Sequence, residues 1–317
     1  MTTSPYFSVV IPTFNRIDTL SNVLDALVVQ HGAPAFEVIV VDDGSKDSTA
    51  AMMGARAKAR KDPYLLTFRS QKNSGPGAAR NLGVTLAAGQ FVVFIGDDTV
   101  PEENFLREHF AVHEKTGHDP LVACLGYTGW PDGERVTSFM HYINDYGLQF
   151  GYKLIEDGAV VPFNFFYTSN ISLSRALMLE FPFDTTFPSA AWEDIELAFR
   201  LDARGLAIHY NAAAVTRHYH PMTVDSFARR QFTVGKSGAI FYSKHPELGH
   251  FLGVHELAER GLATERQLSW LRRTARLGER FGLLARHDTF ERLMRQHYLR
   301  GLQAGLDELK NEARPSA

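Results

Sequence analysis

The residues in this sequence best placed to do chemistry are acidic pairs at the ends of apolar runs. Asp97-Asp98 follows Phe91-Val92-Val93-Phe94-Ile95 and is introduced by Gly96. Five apolar residues suit a buried strand and are too few for a helix. A buried parallel strand delivers the residues after it to the carboxyl edge of an α/β sheet, where ligands of open sheets bind. Two carboxylates there offer hard oxygen donors for a divalent cation, and such a cation bridges a diphosphate. The alternative is a solvated Asp-Asp turn closing the strand. Asp42-Asp43 ends a similar run, Phe36 to Val41, and leads into Gly44-Ser45; Asp42 also suits an acid that bonds turn amides. Glu193-Asp194 precedes Ile195, Ala198, Phe199 and Leu201, which are spaced as one face of a helix. Acids at that end of a helix are favoured by its dipole alone. His218 and His220 stand at i,i+2 and share a face if the segment is extended. Imidazole is a competent Mn²⁺ ligand and suits Mg²⁺ less.

The elements that position these residues alternate. Phe7 to Pro12 reads as a strand stopped by proline, and a helix follows from Asp18 or Thr19 to Gln30 with Leu20, Val23, Leu24 and Leu27 on one side. After the strand from Phe36, Asp47 or Ser48 opens an Ala-rich helix, Leu65 to Phe68 is a third strand, and Ala78 to Ala88 a further helix. Strand–helix alternation at this spacing predicts an α/β fold with a mostly parallel, doubly wound sheet. The loop Gly75-Pro76-Gly77, entering a helix, offers backbone N–H groups to an anion. It is neither a Walker A loop nor a GxGxxG fingerprint. Val100-Pro101-Glu102-Glu103 fits a helix start, and Leu121 to Gly126 reads as a strand.

Totals bound the rest. The chain has 317 residues, 44% hydrophobic and 22% charged, enough for a sizeable core. A net charge of -3 gives no bulk electrostatic case for nucleic acid. The single Cys124 excludes an internal disulfide and a multi-cysteine metal site. The first residues lack the pattern of a signal peptide, and no apolar run spans a bilayer. The expected location is the cytoplasm, free or peripheral to the inner face of the membrane.

Val9-Val10-Ile11-Pro12-Thr13-Phe14-Asn15, Val40-Val41-Asp42-Asp43-Gly44-Ser45, Ala79-Arg80-Asn81-Leu82-Gly83 and Phe94-Ile95-Gly96-Asp97-Asp98 occur in that order. Together they closely resemble family 2 glycosyltransferases. The resemblance implies a GT-A fold and an inverting transfer of a sugar from a nucleotide-diphosphate donor, with a UDP-sugar foremost and Mn²⁺ or Mg²⁺ as cofactor. It implies that Asp43 reads the nucleobase edge, that Pro12, Thr13 and Asn15 line the nucleoside pocket, and that Arg80 faces the base or diphosphate. Asp97 matches an acid near the ribose and Asp98 the metal-bound acid. The common Asp-x-Asp is here Gly96-Asp97-Asp98, so the first carboxylate is missing.

The resemblance covers residues 7–240 and gives a domain of 1–240, with a donor half (1–101) and an acceptor half (102–240), followed by a helical extension over 241–317. In the second half it makes Asp194 the general base that takes the acceptor hydroxyl's proton. It makes His218, with His220 second, the histidine near the metal or diphosphate. Asn170, Trp192 and Glu193 become acceptor-side residues. The partners implied are a nucleotide-sugar and a glycan, lipid-linked or other hydroxyl acceptor, in a setting of bacterial surface glycan or polysaccharide synthesis. The rivals are a nucleotidyltransferase and a non-catalytic nucleotide-sugar-binding or scaffold protein. Phe227 to Ser237, basic and amphipathic, either closes over the diphosphate or is a solvated helix face. Beyond Glu256 the chain reads as Arg-rich helix around Trp270-Leu271-Arg272-Arg273, a surface for anionic lipid or a partner unless it packs back on the core. Glu312 to Ala317 is expected to be disordered.

Overall fold

A computed structural model describes residues 4–59, 61–133, 136–281 and 287–312, so the tail beyond Glu312 lies outside the described residues. The chain forms two compact units that interleave along the sequence. The first comprises Met1–Glu134, Ile155–Thr185 and Glu193–His220, and the second Arg135–Leu154, Thr186–Trp192 and Pro221–Ala317.

The first unit is built on one sheet of nine strands: β1 (Phe7–Thr13), β2 (Phe36–Asp42), β3 (Leu65–Ser70), β4 (Phe91–Ile95), β5 (Thr99–Pro101), β6 (Val122–Gly129), β7 (Val160–Val161), β8 (Asn170–Ser174) and β9 (Ala207–His218). Helices α1 (Ile17–Val28), α2 (Thr49–Ala59), α3 (Pro76–Leu86) and α4 (Phe105–Lys115) connect the early strands. The sheet order is β3-β2-β1-β4-β8-β6-β9-β5, with β7 also on β9. β1 to β4 pair in parallel. β8 runs antiparallel between β4 and β6, and β6 and β9 are parallel to each other. β5 and β7 pair antiparallel with β9. The result is the mostly parallel α/β sheet expected, with the order reversing at β1, where β2 and β4 flank it on opposite sides.

Burial follows the apolar runs. Phe91 to Ile95 and Val38 to Val41 are buried throughout, and the α1 face Leu20, Val23, Leu24 and Leu27 is fully inside. α3 lies so close to β1 that a side-chain carbon at Gly83 would overlap Val10. Two expectations shift. Pro101 does not open a helix: Val100 and Pro101 pair with Arg217 and Thr216 of β9, and α4 begins at Phe105. A three-residue strand has too little pattern to show in sequence. Glu312 is ordered as the last residue of the C-terminal helix.

The second unit is helical. α5 (Ser138–Asp145) precedes α8 (Val224–Lys244), α9 (Val254–Arg260), α10 (Glu265–Phe281) and α11 (His287–Glu312); the short α6 (Arg175–Glu180) and α7 (Glu193–Asp202) belong to the first unit. α8 opens with a capping box between Thr223 and Ser226. It crosses α11 at backbone distance, since a side-chain carbon at Gly235 would strike the Tyr298 carbonyl and one at Gly301 that of Phe232. Phe139 packs on Phe227 and Phe290 with ring centroids 5.7 and 5.1 Å apart. The stretch Phe227 to Ser237 therefore belongs to a helix of this unit with one face inside and one outside: Phe227, Ala228 and Gln231 are buried, and Arg229, Phe232 and Thr233 are exposed. Among the described residues no helix is long and apolar enough to cross a membrane.

Candidate active site

The carboxyl ends of β1, β2 and β4 lie side by side, and each carries candidate site residues. After β4, Asp97 and Asp98 are both buried, at 7% exposure. Thr13, ending β1, donates its hydroxyl to Asp97 Oδ2 at 2.7 Å. Arg16 donates through Nη1 to Asp97 Oδ1 at 3.2 Å and also to Asp98 Oδ2. β5 pairs Thr99 with His218 of β9, and the Tyr219 amide donates to the Asp98 carbonyl at 2.8 Å. That pairing carries His218 Nε2 to 3.5 Å and His220 Nδ1 to 4.0 Å from Asp98 Oδ2. Trp130 stacks on the His218 ring, centroids 5.4 Å apart at 15°, and fixes its plane.

The two acids respond in opposite directions. Burial, with Asp98 alongside, pushes the Asp97 carboxyl up to about 6. Burial acts against ionisation of Asp98 too, but the hydrogen bond and charge of His218, with Arg16 and His220, hold it well below the usual carboxylate range. Gly96, which replaces the first acid of Asp-x-Asp, sits where a side-chain carbon would come within 2.8 Å of Asp98 Oδ1. A side chain at 96 would therefore turn Asp98 from its present position.

The pair after β2 is engaged differently. Asp42 accepts the Ser45 amide at 2.9 Å and the Ser70 hydroxyl at 3.1 Å. Asp43 accepts the amides of Ser74 and Gly75, each at 2.9 Å, and Gln71 Nε2 at 2.8 Å. The amides of the glycine loop thus already hold an anion, and it is Asp43. Asn15, at φ 54, accepts the Lys46 amide at 2.7 Å and anchors its own loop by donating its amide to Ser45 Oγ. Pro12 is half-buried beside them.

A third group gathers at the start of α7. Arg80, on α3, donates to Glu193 Oε1 at 2.8 Å in a buried ion pair, and its guanidinium lies over the Phe183 ring. Gly77 lets α3 approach: a side-chain carbon there would meet Phe183 at 3.3 Å and Glu193 at 4.0 Å. Next to this pair, Asp194 accepts the Ile195 amide at 2.9 Å and the Thr168 hydroxyl at 3.5 Å. Burial and the Glu193 charge push its carboxyl up to about 7. The Thr168-Ser169 link also reaches the Asp98 turn, because Thr99 Oγ1 donates to the Ser169 carbonyl at 3.3 Å.

The residue types around Asp98 suit a divalent cation. One carboxylate oxygen with two imidazole nitrogens nearby is a donor set of the kind Mn²⁺ takes. Among the described residues no three such side chains are arranged as a finished cage. Arg16 supplies positive charge at the same oxygen.

The sequence model of glycosyl transferase family 2 matches residues 8–172, just over half the chain. The chain belongs to this family. Its fold is of the GT-A type. The mannosyltransferase PcManGT from Pyrobaculum calidifontis, solved with GDP-Man and Mn²⁺, superimposes with a TM-score of 0.62 at 18% identity, over 98% of this chain and 89% of that one. S. aureus TarS 1-349, solved with UDP, gives 0.55 at 19% identity, over 98% and 93%. In sequence, validoxylamine A glucosyltransferase of Streptomyces hygroscopicus subsp. limoneus is 29% identical over 223 residues, 64% of this chain and 49% of that protein. The chondroitin synthase of Pasteurella multocida is 27% identical over 258 residues, 73% of this chain and 26% of that one. The match thus spans about half, or less, of these relatives' length.

The three residues expected on the acceptor side are each engaged within the chain. Asn170 is fully buried, donating to the carbonyls of Ala214 at 2.8 Å and Tyr127 at 3.0 Å and meeting His109 Nε2 at 2.9 Å, so it ties β8 to β6 and β9. Trp192, at φ 71, donates to the Val234 carbonyl at 3.0 Å and packs beside Phe241, Phe251 and Tyr298 of the second unit. Glu193 is spent on Arg80. Conversely, the motifs do not by themselves point to Arg16 or Thr168. Arg16 directly follows the Pro12-Thr13-Phe14-Asn15 motif, and that adjacency is its signal in the sequence. Thr168 has none beyond its place in the run before Asn170.

Proposed function

We propose that this glycosyltransferase is inverting and metal-dependent and moves a sugar from a nucleotide-diphosphate donor, a UDP-sugar foremost, to an acceptor hydroxyl. The observation that carries this reading is Asp194: a carboxyl raised to about 7 by burial and by Glu193, hydrogen-bonded to Thr168 and Ile195. A general base works best with a value near the working pH. In single-displacement transfer the acceptor oxygen attacks the anomeric carbon, the bond to the diphosphate breaks, and Asp194 takes the hydroxyl proton. Thr168 and the Ile195 amide orient the carboxylate, and the Arg80–Glu193 ion pair fixes the first turn of α7 beneath it. One carboxylate suffices because the leaving group is a stabilised anion, unlike the paired carboxyls usual in glycoside hydrolysis.

The donor is assigned to residues 1–101 and the acceptor mainly to 102–240. Pro12, Thr13 and Asn15 border the nucleoside site. Asp43 keeps one acceptor position on Oδ2 free of the loop amides, which suits a base N–H. Asp97 stands toward the ribose. Asp98 and His218, with His220 beside them, would hold Mn²⁺ or Mg²⁺, and the bound cation supplies positive charge to the departing diphosphate. Asp97 and Asp98 are kept apart in charge by their surroundings, so that Asp98 stays ionised.

Thermal shift with UDP, dTDP and GDP, with and without Mn²⁺, tests the donor side on wild type and on Asp98→Ala. Stabilisation by one nucleotide that needs Mn²⁺ and disappears in Asp98→Ala is the expected result. No shift with any nucleotide would remove the donor site in this form and leave the scaffold reading ahead.

A further inference from the structure

The helix α10 of the second unit has one face inside and one outside. Leu268, Leu271, Ala275 and Gly278 are its buried side. On the opposite side lie Arg266, Trp270, Arg273, Leu277, Arg280 and Phe281, all exposed. At 3.6 residues per turn they fall within an arc of about 100° and run for about 22 Å along the axis. Trp270 is 62% exposed, Phe281 58% and Leu277 40%, unusual values for residues of this size.

Charge on the helix is segregated to match. Its two acids lie off this arc and are engaged: Glu265 pairs with Arg300 at 2.8 Å, and Glu279 accepts the Val224 amide at 3.0 Å. Of the remaining arginines, Arg276 pairs with Asp225 at 2.7 Å and Arg272 meets His297 at 3.2 Å. Arg266, Arg273 and Arg280, spaced seven apart, have no carboxylate partner among the described residues. The chain's net charge is -3, so this positive line is local and not a consequence of bulk composition.

We propose that this face of α10 adsorbs to an anionic phospholipid surface. The arginines interleave with the apolar residues along the whole line. A protein partner would instead be met by an apolar centre with charge at its rim. Interleaving suits a helix lying in the plane of a bilayer. There the guanidinium groups reach phosphates, and Trp270, Leu277 and Phe281 enter the boundary between headgroups and acyl chains. The contact is peripheral, since no described helix spans a membrane. It would hold a soluble-donor enzyme beside acceptors or products at a lipid surface. The inference does not depend on the assignment of the active site.

The test is co-sedimentation of the full chain with vesicles of phosphatidylcholine alone and of an equal mixture with phosphatidylglycerol, without donor or metal. The protein should pellet with the mixed vesicles, stay in solution with the neutral ones, and be released as salt rises. The triple variant R266E/R273E/R280E should lower the partition coefficient about a hundredfold, and Trp270→Ala about tenfold. All these positions are exposed, and an unchanged thermal melt confirms the fold of each variant. Emission from Trp270 should shift to the blue on mixed vesicles, and Trp270→Phe should lose that shift while still pelleting. No pelleting, equal pelleting on both lipids, or pelleting unaffected by the triple variant would overturn the proposal. Lipid-free self-association abolished by Trp270→Ala would overturn it in favour of a second copy of this chain. Either failure would leave the glycosyltransferase reading where it stands.

Discussion

Two strands of the same sheet, β2 and β4, end in the same dipeptide, Asp-Asp, on the same edge, yet the two pairs have different surroundings. Asp42 and Asp43 meet backbone amides of Ser45, Ser74 and Gly75 and the side chains of Ser70 and Gln71. Asp97 and Asp98 meet Arg16, His218 and His220, with the Thr13 hydroxyl and the Phe14 amide as neutral donors to Asp97. Amides are fixed dipoles built into the loops they belong to, so an acid satisfied by them becomes part of the scaffold. The Arg16 side chain can swing away, so an acid neutralised by it can exchange that charge for a ligand's. The first pair shapes the loops that follow β2 and β3, and the second sits against the replaceable positive charge of Arg16.

The largest effect that sharpens this contrast belongs to Asp98 and Asp194. Asp98→Asn keeps the shape and removes the charge. Transfer measured by nucleoside diphosphate release should fall about 10²–10³-fold, with Mn²⁺-dependent nucleotide stabilisation lost and the melt of the bare protein lowered at neutral pH, because the ionised Asp98 is held by Arg16 and His218. Asp194→Asn should lower turnover by about 10²–10⁴-fold while the nucleotide shift survives. In wild type, turnover should rise with pH through about 7 as Asp194 ionises. The same shift has a stability consequence. The native carboxyl holds a proton that the unfolded chain has lost between about pH 4 and pH 7. Its contribution is therefore full below the unfolded value and disappears as pH rises through about 7. Asp194→Asn should consequently melt a few degrees above wild type at pH 8, and the gap should close at pH 5. A flat pH–rate profile together with no such gap would take Asp194 out of the base role.

Asp43→Ala comes next and acts on the scaffold side of the comparison. It strands the Ser74 and Gly75 amides and Gln71 Nε2, at a cost of roughly 2–3 kcal/mol. The melting temperature should drop equally with and without Mn²⁺. A drop confined to the metal-bound protein would mean that the two acid pairs act as one site.

Much of the first unit is legible in the sequence because its signals are local. Buried strands such as Phe91 to Ile95 and the amphipathic α1 declare themselves over a few residues, and the ends of parallel strands place Asp43 and Asp98 on one edge without further information. The hidden part depends on pairing across distance. β5 has three residues and exists because β9 lies beside it, and only that pairing brings His218 to Asp98. The partners of Asn170 are hidden for the same reason: β6 and β9 supply the carbonyls that its amide meets. Trp192 looks like part of the acidic motif it adjoins, but its ring packs beside residues from Phe241 onward. The exposed face of α10 is visible as Arg-rich sequence, whereas its separation from the buried face needs the helix to be placed.

The smallest effect is the one that tests the exchange idea most directly. Arg16 lies against both Asp97 and Asp98 and is itself partly open to solvent. Its guanidinium is held charged by those carboxylates despite burial. If it stands in for a ligand's charge, Arg16→Gln should leave two buried carboxylates without their nearest cation. The bare protein should then melt a few degrees lower than wild type. Mn²⁺ alone should stabilise Arg16→Gln more than it stabilises wild type, because the metal no longer competes with an internal cation. A smaller Mn²⁺ shift in the variant would show that Arg16 supports cation binding, and both acid pairs would then belong to the fixed scaffold. An equal shift would place Arg16 outside the exchange and sink the idea that it stands in for a ligand's charge.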